Sequence, residues 1–368
     1  MKKLAVFLLL IYLYFMCQTI TLHAMPDIYA VEFGGMETVI GNIDPAFSMN
    51  MTDIFTNALT GELDLSPLSI IDGFLRLFFS EIYRNVALLR NLLIIGIVSA
   101  ILHNITSSFQ SSGVGEIGFY VSYLAMVALL FSSFRIAASV FSELMISVSA
   151  FIEAGIPLFI SLVVMSGNVA GGTVFNVLLM FAVGFVSRFV SWVVGPAIMA
   201  AATINMINFI DEKDILTNLS KLIKDIISWS IKMLAFGLVS IITIQRISTP
   251  LVNSLFLRGL RSTVGTVPVV GPILSGALEN VIYLSRAVRG GVLISVIIAM
   301  VFICLIPMIK LAALIITYRL AAALIQPICD DRIVECIEVA SEYTALLLSA
   351  AAIVSLMFSL SIIIMLSF

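Results

Sequence analysis

From residue 91 onward the chain is a succession of long apolar runs, divided by single charges and by a few clusters of Gly, Pro and charged residues. A run of about 20 apolar residues crosses the hydrocarbon of a bilayer as a helix. Residues 91–109 and 117–134 are free of charge, and 136–152 carry only Glu143. Residues 154–187 hold no charge either, but Gly167-Asn168-Val169-Ala170-Gly171-Gly172 interrupts them. The pattern predicts a break there with helical halves on both sides. Residues 189–210 form a further span with a kink expected at Gly195-Pro196. Spans are also expected from 233 towards 257, over 290–309, over a shorter 311–327 and over 344–368.

Amphipathic stretches separate and precede these runs. Leu68, Ile71, Leu75, Phe78, Ile82, Val86 and Leu89 recur at three- and four-residue spacing, which predicts an amphipathic helix over 68–90. Asp211-Glu212-Lys213-Asp214 marks an aqueous loop. After it Leu216, Leu219, Ile223, Ile226 and Ile227 are expected on one helix face, with Lys221, Lys224, Asp225 and Ser228 opposite. A basic amphipathic helix of this kind suits an anionic leaflet.

Composition turns the pattern into a class. The 368 residues are 61% hydrophobic and 11% charged, against about 45–50% and 25% in soluble domains, and mean hydropathy is +1.16. So few charges leave a water-soluble fold uncovered, which excludes a soluble enzyme, a disordered chain and a nucleic-acid-binding domain. The expected fold is all-α, a polytopic helical membrane protein of six to eight spans with interfacial helices and re-entrant segments.

Charge is distributed by segment. Residues 25–85 carry nine acids against two bases, residues 188–319 twelve bases against five acids, and residues 330–342 five acids against Arg332. The last segment reads as acidic and aqueous. The positive-inside rule does not settle topology, because the bases of 211–232 and the arginines of 258–289 both favour the cytoplasmic side.

The N-terminus has the form of a secretory signal peptide over 1–24. Lys2 and Lys3 form the basic region, a 13-residue apolar stretch follows, and Leu22-His23-Ala24 offers a cleavage site. An uncleaved anchor is the alternative. The acidic segment 25–67 then begins outside the cytoplasm. The remaining division is an amphipathic helix at 68–90, a first transmembrane bundle at 91–210, a basic amphipathic loop-helix at 211–232 and a second bundle at 233–368. The second bundle contains a Pro/Gly-rich segment at 262–276, with Pro268, Gly271 and Pro272 as breaks. Irregular apolar backbone at membrane depth needs protein or water around it, so this segment is either a re-entrant hairpin or an interfacial loop.

Chemistry-bearing motifs are absent. No Walker A, HExxH, GxSxG or dinucleotide fingerprint occurs. His103 is the sole histidine beyond the signal segment, and Cys304, Cys329 and Cys336 have neither CxxC spacing nor a histidine partner. No catalytic, metal or cofactor site is expected, and no enzyme. Ionisable residues inside apolar runs are the better lead, because they are costly in hydrocarbon and need partners. Glu143, Glu153, Glu279, Lys310 and Arg319 are the candidates for a polar conduit, with Glu143–Arg319 or Glu143–Lys310 as candidate pairs. Snorkelling helix-end cations and structural ion pairs are the plainer alternative. Lys221 and Lys224 are candidates for docking a cytoplasmic partner. Gly167 and Gly171 have the GxxxG spacing that allows close helix contact.

Several stretches carry a resemblance. Thr266-Val267-Pro268-Val269-Val270-Gly271 is one, and Tyr318-Arg319-Leu320-Ala321-Ala322-Ala323-Leu324-Ile325-Gln326-Pro327 running on into Asp330-Asp331-Arg332-Ile333 is the most specific. With the order and spacing of 157–172 and 194–232, residues of about 150–368 resemble the stage III sporulation protein AE family of endospore-forming bacteria. Gln326 stands where the family pattern has an acid. The resemblance implies a membrane component of a secretion-like channel or feeding tube. That channel is made in the mother cell and sits in the membrane surrounding the forespore. It implies partnership with stage III proteins AA to AH, including the ATPase-like AA, and indirectly with stage II protein Q of the forespore. It further implies support of sigma-G gene expression and of forespore integrity. The family is described as permease-like, and a homo-oligomer is compatible with it. Nucleic acid is not an expected partner, and membrane lipid is. A self-contained secondary transporter, with Gly167–Gly172 and Gly265–Pro272 as paired discontinuous helices, is the alternative.

Overall fold

The computed structural model describes residues 36, 53, 55–57, 67–108, 112–165, 172–208, 218–237, 240 and 271–367. Among them every regular element is helical. In chain order these are α1 (Pro67–Arg84), α2 (Val86–Ser108), α3 (Ser112–Met165), α4 (Gly172–Phe189), a π-helical turn (Val190–Val194), α5 (Gly195–Asn208), α6 (residues 218–237), α7 (Gly271–Ile325) and α8 (Asp331–Ser367).

Five helical stretches among the described residues are long and apolar enough to cross a membrane: Asp72–Leu102, Tyr120–Leu158, Phe181–Asn208, Ile294–Ile325 and Asp331–Ile362. The protein is a polytopic helical membrane protein. Its two C-terminal stretches are 78% and 72% buried, against 22% to 39% for the other three. The α7–α8 hairpin is therefore the core, and α2, α3, α4 and α5 pack around it. Outward-facing apolar side chains such as Ile94, Ile101, Val121, Phe131, Phe181 and Trp192 remain exposed. In water that surface would aggregate; against lipid it is the favourable arrangement.

Single charges do not divide the apolar runs. Residues 117–134 and 136–152 are both part of α3, which passes through Arg135 without a break, and 290–309 and 311–327 merge in α7 through Lys310. A charged side chain leaves the backbone ladder intact, and even Pro157 and Pro307, which lack the N–H, lie inside α3 and α7 without ending them. The 54 residues of α3 and 55 of α7 span about 80 Å each if straight. That exceeds the ~40–45 Å of a whole bilayer, so parts of both lie beyond the hydrocarbon.

Local chemistry fixes the joints. Asn85 forms the turn between α1 and α2, its Nδ2 donating to the Glu81 carbonyl at 2.9 Å. Pro196 has no N–H to continue an α-helical ladder. Directly before it the chain widens into the π turn, where the Gly195 N–H bonds the Val190 carbonyl. A Cβ on Gly195 would stand 3.1 Å from Phe141 Cε1, so α3 approaches closely at this point. At the α7–α8 turn Pro327 ends one helix, and Asp330 caps the next by accepting from the Arg332 N–H at 2.9 Å.

Two segments differ from the sequence expectation. Residues 331–342, read as acidic and aqueous, form the first turns of α8, with Asp331, Glu335 and Glu338 exposed but Ile333, Cys336, Ile337 and Ala340 fully buried. Helix α6 buries a mixed face. Ser220 and Ser228 are buried beside Ile227 and Ile231, while Leu219, Leu222, Ile226, Trp229, Met233 and Phe236 are exposed. The outward face of α6 carries the charged Lys221, Asp225 and Lys232 together with these large apolar side chains, and the inward face pairs serines with Ile227 and Ile231.

Candidate functional site

The ends of α5 and α7 and the starts of α6 and α8 meet at one end of the bundle, around a cavity of about 550 Å³. Helix α7 supplies Arg319, Ala322 and Ala323 to its wall, and the turn after it supplies Gln326. Helix α8 supplies Glu335, Glu338 and Glu342, spaced i, i+3, i+7 on one face. Helix α6 contributes Ser220, Lys221 and Lys224, and α5 contributes Asn205 and Asn208. Three cations, three carboxylates and three amides thus share one opening.

The wall is held by contacts between helices. Tyr318 is fully buried, and its hydroxyl donates to Ser133 Oγ on α3 at 2.8 Å. That anchor turns the neighbouring Arg319 to the cavity, where its Nε donates to Ser341 Oγ at 3.4 Å. Helix α6 is fastened by Lys224 Nζ to Glu342 Oε1 at 2.5 Å and by Ser220 Oγ to Asn205 Oδ1 at 3.3 Å. The Tyr123 hydroxyl donates to the Met206 carbonyl at 2.8 Å, which ties α3 to the end of α5. Below the turn, Cys329 Sγ donates to the Gly96 carbonyl at 3.0 Å. Partial burial and the nearby Asp330 push that thiol's pKa up to about 11, so it is protonated and serves as a donor.

The sequence candidates are distributed unevenly around this site. Arg319, Lys221 and Lys224 converge on it, although the sequence reading assigned them to different roles. Lys221 is exposed, while Lys224 is half-buried and committed to Glu342. Glu143 is exposed on α3 and forms no ion pair with Arg319 or Lys310 among the described residues. Helical rise explains this for Arg319. The α3 residue beside Tyr318 is Ser133, and Glu143 lies ten residues, about 15 Å, further along the helix. Glu153 pairs instead with Arg188 of α4 at 3.1 Å, with both side chains mostly exposed. Lys310 is half-buried on α7, outside the cavity lining. Glu279 lies within α7, its side chain outside the described residues. Gly172 opens α4, and Gly271 and Pro272 open α7; Gly167, Gly171 and Pro268 lie outside the described residues.

Sequence reasoning missed Glu335, Glu338 and Glu342 as a single functional face. The signal was their helical spacing within a segment read only for its net charge. It also missed Asn205, Asn208 and Gln326, which carry no charge and no motif.

The family model for stage III sporulation protein AE matches residues 49–368. Stage III sporulation protein AE of Bacillus subtilis (strain 168) is 27% identical over 305 residues, covering 83% of this chain and 76% of that protein. No solved structure matches. The run from Tyr318 to Gln326, the most specific part of the resemblance, is the wall of the cavity formed by α7 and the turn after it. With the family match extending over all the helices described here, the chain belongs to the stage III sporulation protein AE family.

Proposed function

We propose that this protein is a non-enzymatic integral membrane component of the mother-cell sporulation channel, the secretion-like complex that sustains the engulfed forespore. The observation that carries the reading is the family match over residues 49–368 on a chain with five stretches able to cross a membrane. In this reading the chain sits in the mother-cell membrane around the forespore, with the acidic segment 25–67 extracytoplasmic after signal cleavage. It works beside stage III proteins AA to AH, meeting the ATPase AA on its cytoplasmic side and stage II protein Q only indirectly. The helix α6 end carrying exposed Lys221 is the docking face.

Deletion of the gene in its native host, followed by microscopy and a sigma-G reporter, tests the role. Arrest after engulfment with a collapsing forespore and a silent reporter is the expected result. Normal spores overturn it. Transport by the purified chain alone in liposomes would instead favour a self-contained secondary transporter.

A further inference from the structure

The cavity at the α5–α8 end carries both signs of charge, and its ion pairs do not consume them. Lys224 and Glu342 neutralise each other. Lys221 and Glu338 line the same space and form no ion pair among the described residues. Arg319 makes a single long bond through Nε. Its terminal N–H groups, the fork that suits phosphate oxygens, have no partner among the described residues. Ala322 and Ala323 leave room in front of Arg319. The volume of about 550 Å³ falls within the ~300–1,000 Å³ of small-molecule sites.

A simple anion would meet Arg319 and Lys221 but also the carboxylates of Glu335 and Glu338. A simple cation would meet the reverse. A ligand that carries both charges satisfies both sets. The cavity also lies at the end where the stretches Ile294–Ile325 and Asp331–Ile362 are joined by their turn. Leu320, Leu324 and Ile328 are exposed beside it. We propose that this pocket binds a zwitterion joining a primary ammonium to a phosphate, the chemistry shared by an aminophospholipid headgroup and free phosphoethanolamine. Arg319 and Lys221 take the phosphate. Glu338 takes the ammonium N–H groups, which a quaternary choline lacks. The assignment goes beyond the channel reading and does not depend on it.

The test uses the full-length purified chain in nanodiscs of phosphatidylcholine doped with phosphatidylethanolamine or phosphatidylglycerol. Bound lipid is measured by native mass spectrometry and the unfolding midpoint by thermal scan. Phosphatidylethanolamine is expected to be retained over both other lipids and to raise the midpoint. Arg319→Gln and Glu338→Gln are each expected to weaken that retention about tenfold or more, as loss of a charge-assisted hydrogen bond does. Ala323→Leu fills the space with every charge intact and is expected to weaken retention too, which covers the case of a charge variant that fails to fold. Free phosphoethanolamine added to pure phosphatidylcholine nanodiscs separates the sources. A midpoint rise there, without preference among lipids, assigns the free compound, and the opposite pattern assigns the lipid. Neither response, or phosphatidylglycerol retained as well as phosphatidylethanolamine with no midpoint rise from phosphoethanolamine, overturns the proposal.

Discussion

Reversing Lys224 separates what fastens helix α6 from what it offers to a partner. Lys224 Nζ lies 2.5 Å from Glu342 Oε1, with side-chain exposures of 28% and 42%. At an effective dielectric of about 20, two unit charges 4 Å apart gain about 4 kcal/mol before any cost. Desolvation and side-chain ordering cancel most of this, and exposed pairs retain about 0.2–1 kcal/mol. This pair is half-buried, so Lys224→Ala is expected to cost about 1 kcal/mol, the upper end of that range. Lys224→Glu replaces attraction by repulsion of similar size, for a total of about 2 kcal/mol. Adding Glu342→Lys to Lys224→Glu restores part of the loss. Recovery is incomplete because a cation at 342 stands next to Ser341, the partner of Arg319. Lys221→Glu, at an exposed position without an ion pair among the described residues, should change stability by less than about 0.5 kcal/mol. The assay is unfolding of the purified chain in mixed micelles across the double-mutant cycle, with co-purification of the sporulation complex read in parallel. A coupling below about 0.3 kcal/mol would refute the view that this pair holds α6 against α8. Full complex recovery with Lys221→Glu would refute its docking role.

Tyr318 and Cys329 give two further expectations. Tyr318→Phe removes the bond to Ser133 while Ser133 Oγ still donates to the Leu130 carbonyl; it should cost about 0.5–1.5 kcal/mol, whereas Tyr318→Ala should cost about 3–5 kcal/mol by leaving a cavity, and similar losses for both in micelle unfolding would contradict the packing described. With its thiol pKa at about 11, Cys329 holds about 300-fold less thiolate at pH 7.5 than an unperturbed cysteine. Greater nucleophilicity offsets this about tenfold, so maleimide labelling of Cys329 in a Cys17→Ser background should be about 30-fold slower, and a rate equal to that of a free thiol would count against the burial of Cys329 beside Asp330. The raised pKa also fixes a sign. The unfolded chain releases this proton first, so the contribution to stability is intact below about pH 9 and fades as pH rises towards 11.

The helical membrane class was legible because it depends only on composition and run length, which no tertiary contact alters. The joints were partly legible for the same reason. Pro327 lacks the N–H to continue α7, and Pro196 lacks the N–H that an uninterrupted ladder would need. The kink expected at Gly195-Pro196 is a π turn just before it. Where a charge stood alone, as at Arg135 and Lys310, the division of spans failed, since a side-chain charge does not interrupt backbone hydrogen bonding.

The site was legible only in pieces. Sequence identified Arg319 as a charge needing an explanation, because its cost in an apolar setting is a property of the residue, and Lys221 and Lys224 as the basic face of an amphipathic helix. It could not show that they meet. Lys224 and Glu342 are 118 positions apart, and Tyr318 and Ser133 are 185 apart. Nothing local encodes such proximity; it follows from how the α7–α8 hairpin packs against α3, α5 and α6. Sequence determined that α6 carries apolar and charged positions at helical spacing, and packing decided that Ser220, Ile227, Ser228 and Ile231 turn inward. Periodicity is a local property of the chain, whereas the pairing of charges on different helices exists only after those helices have packed.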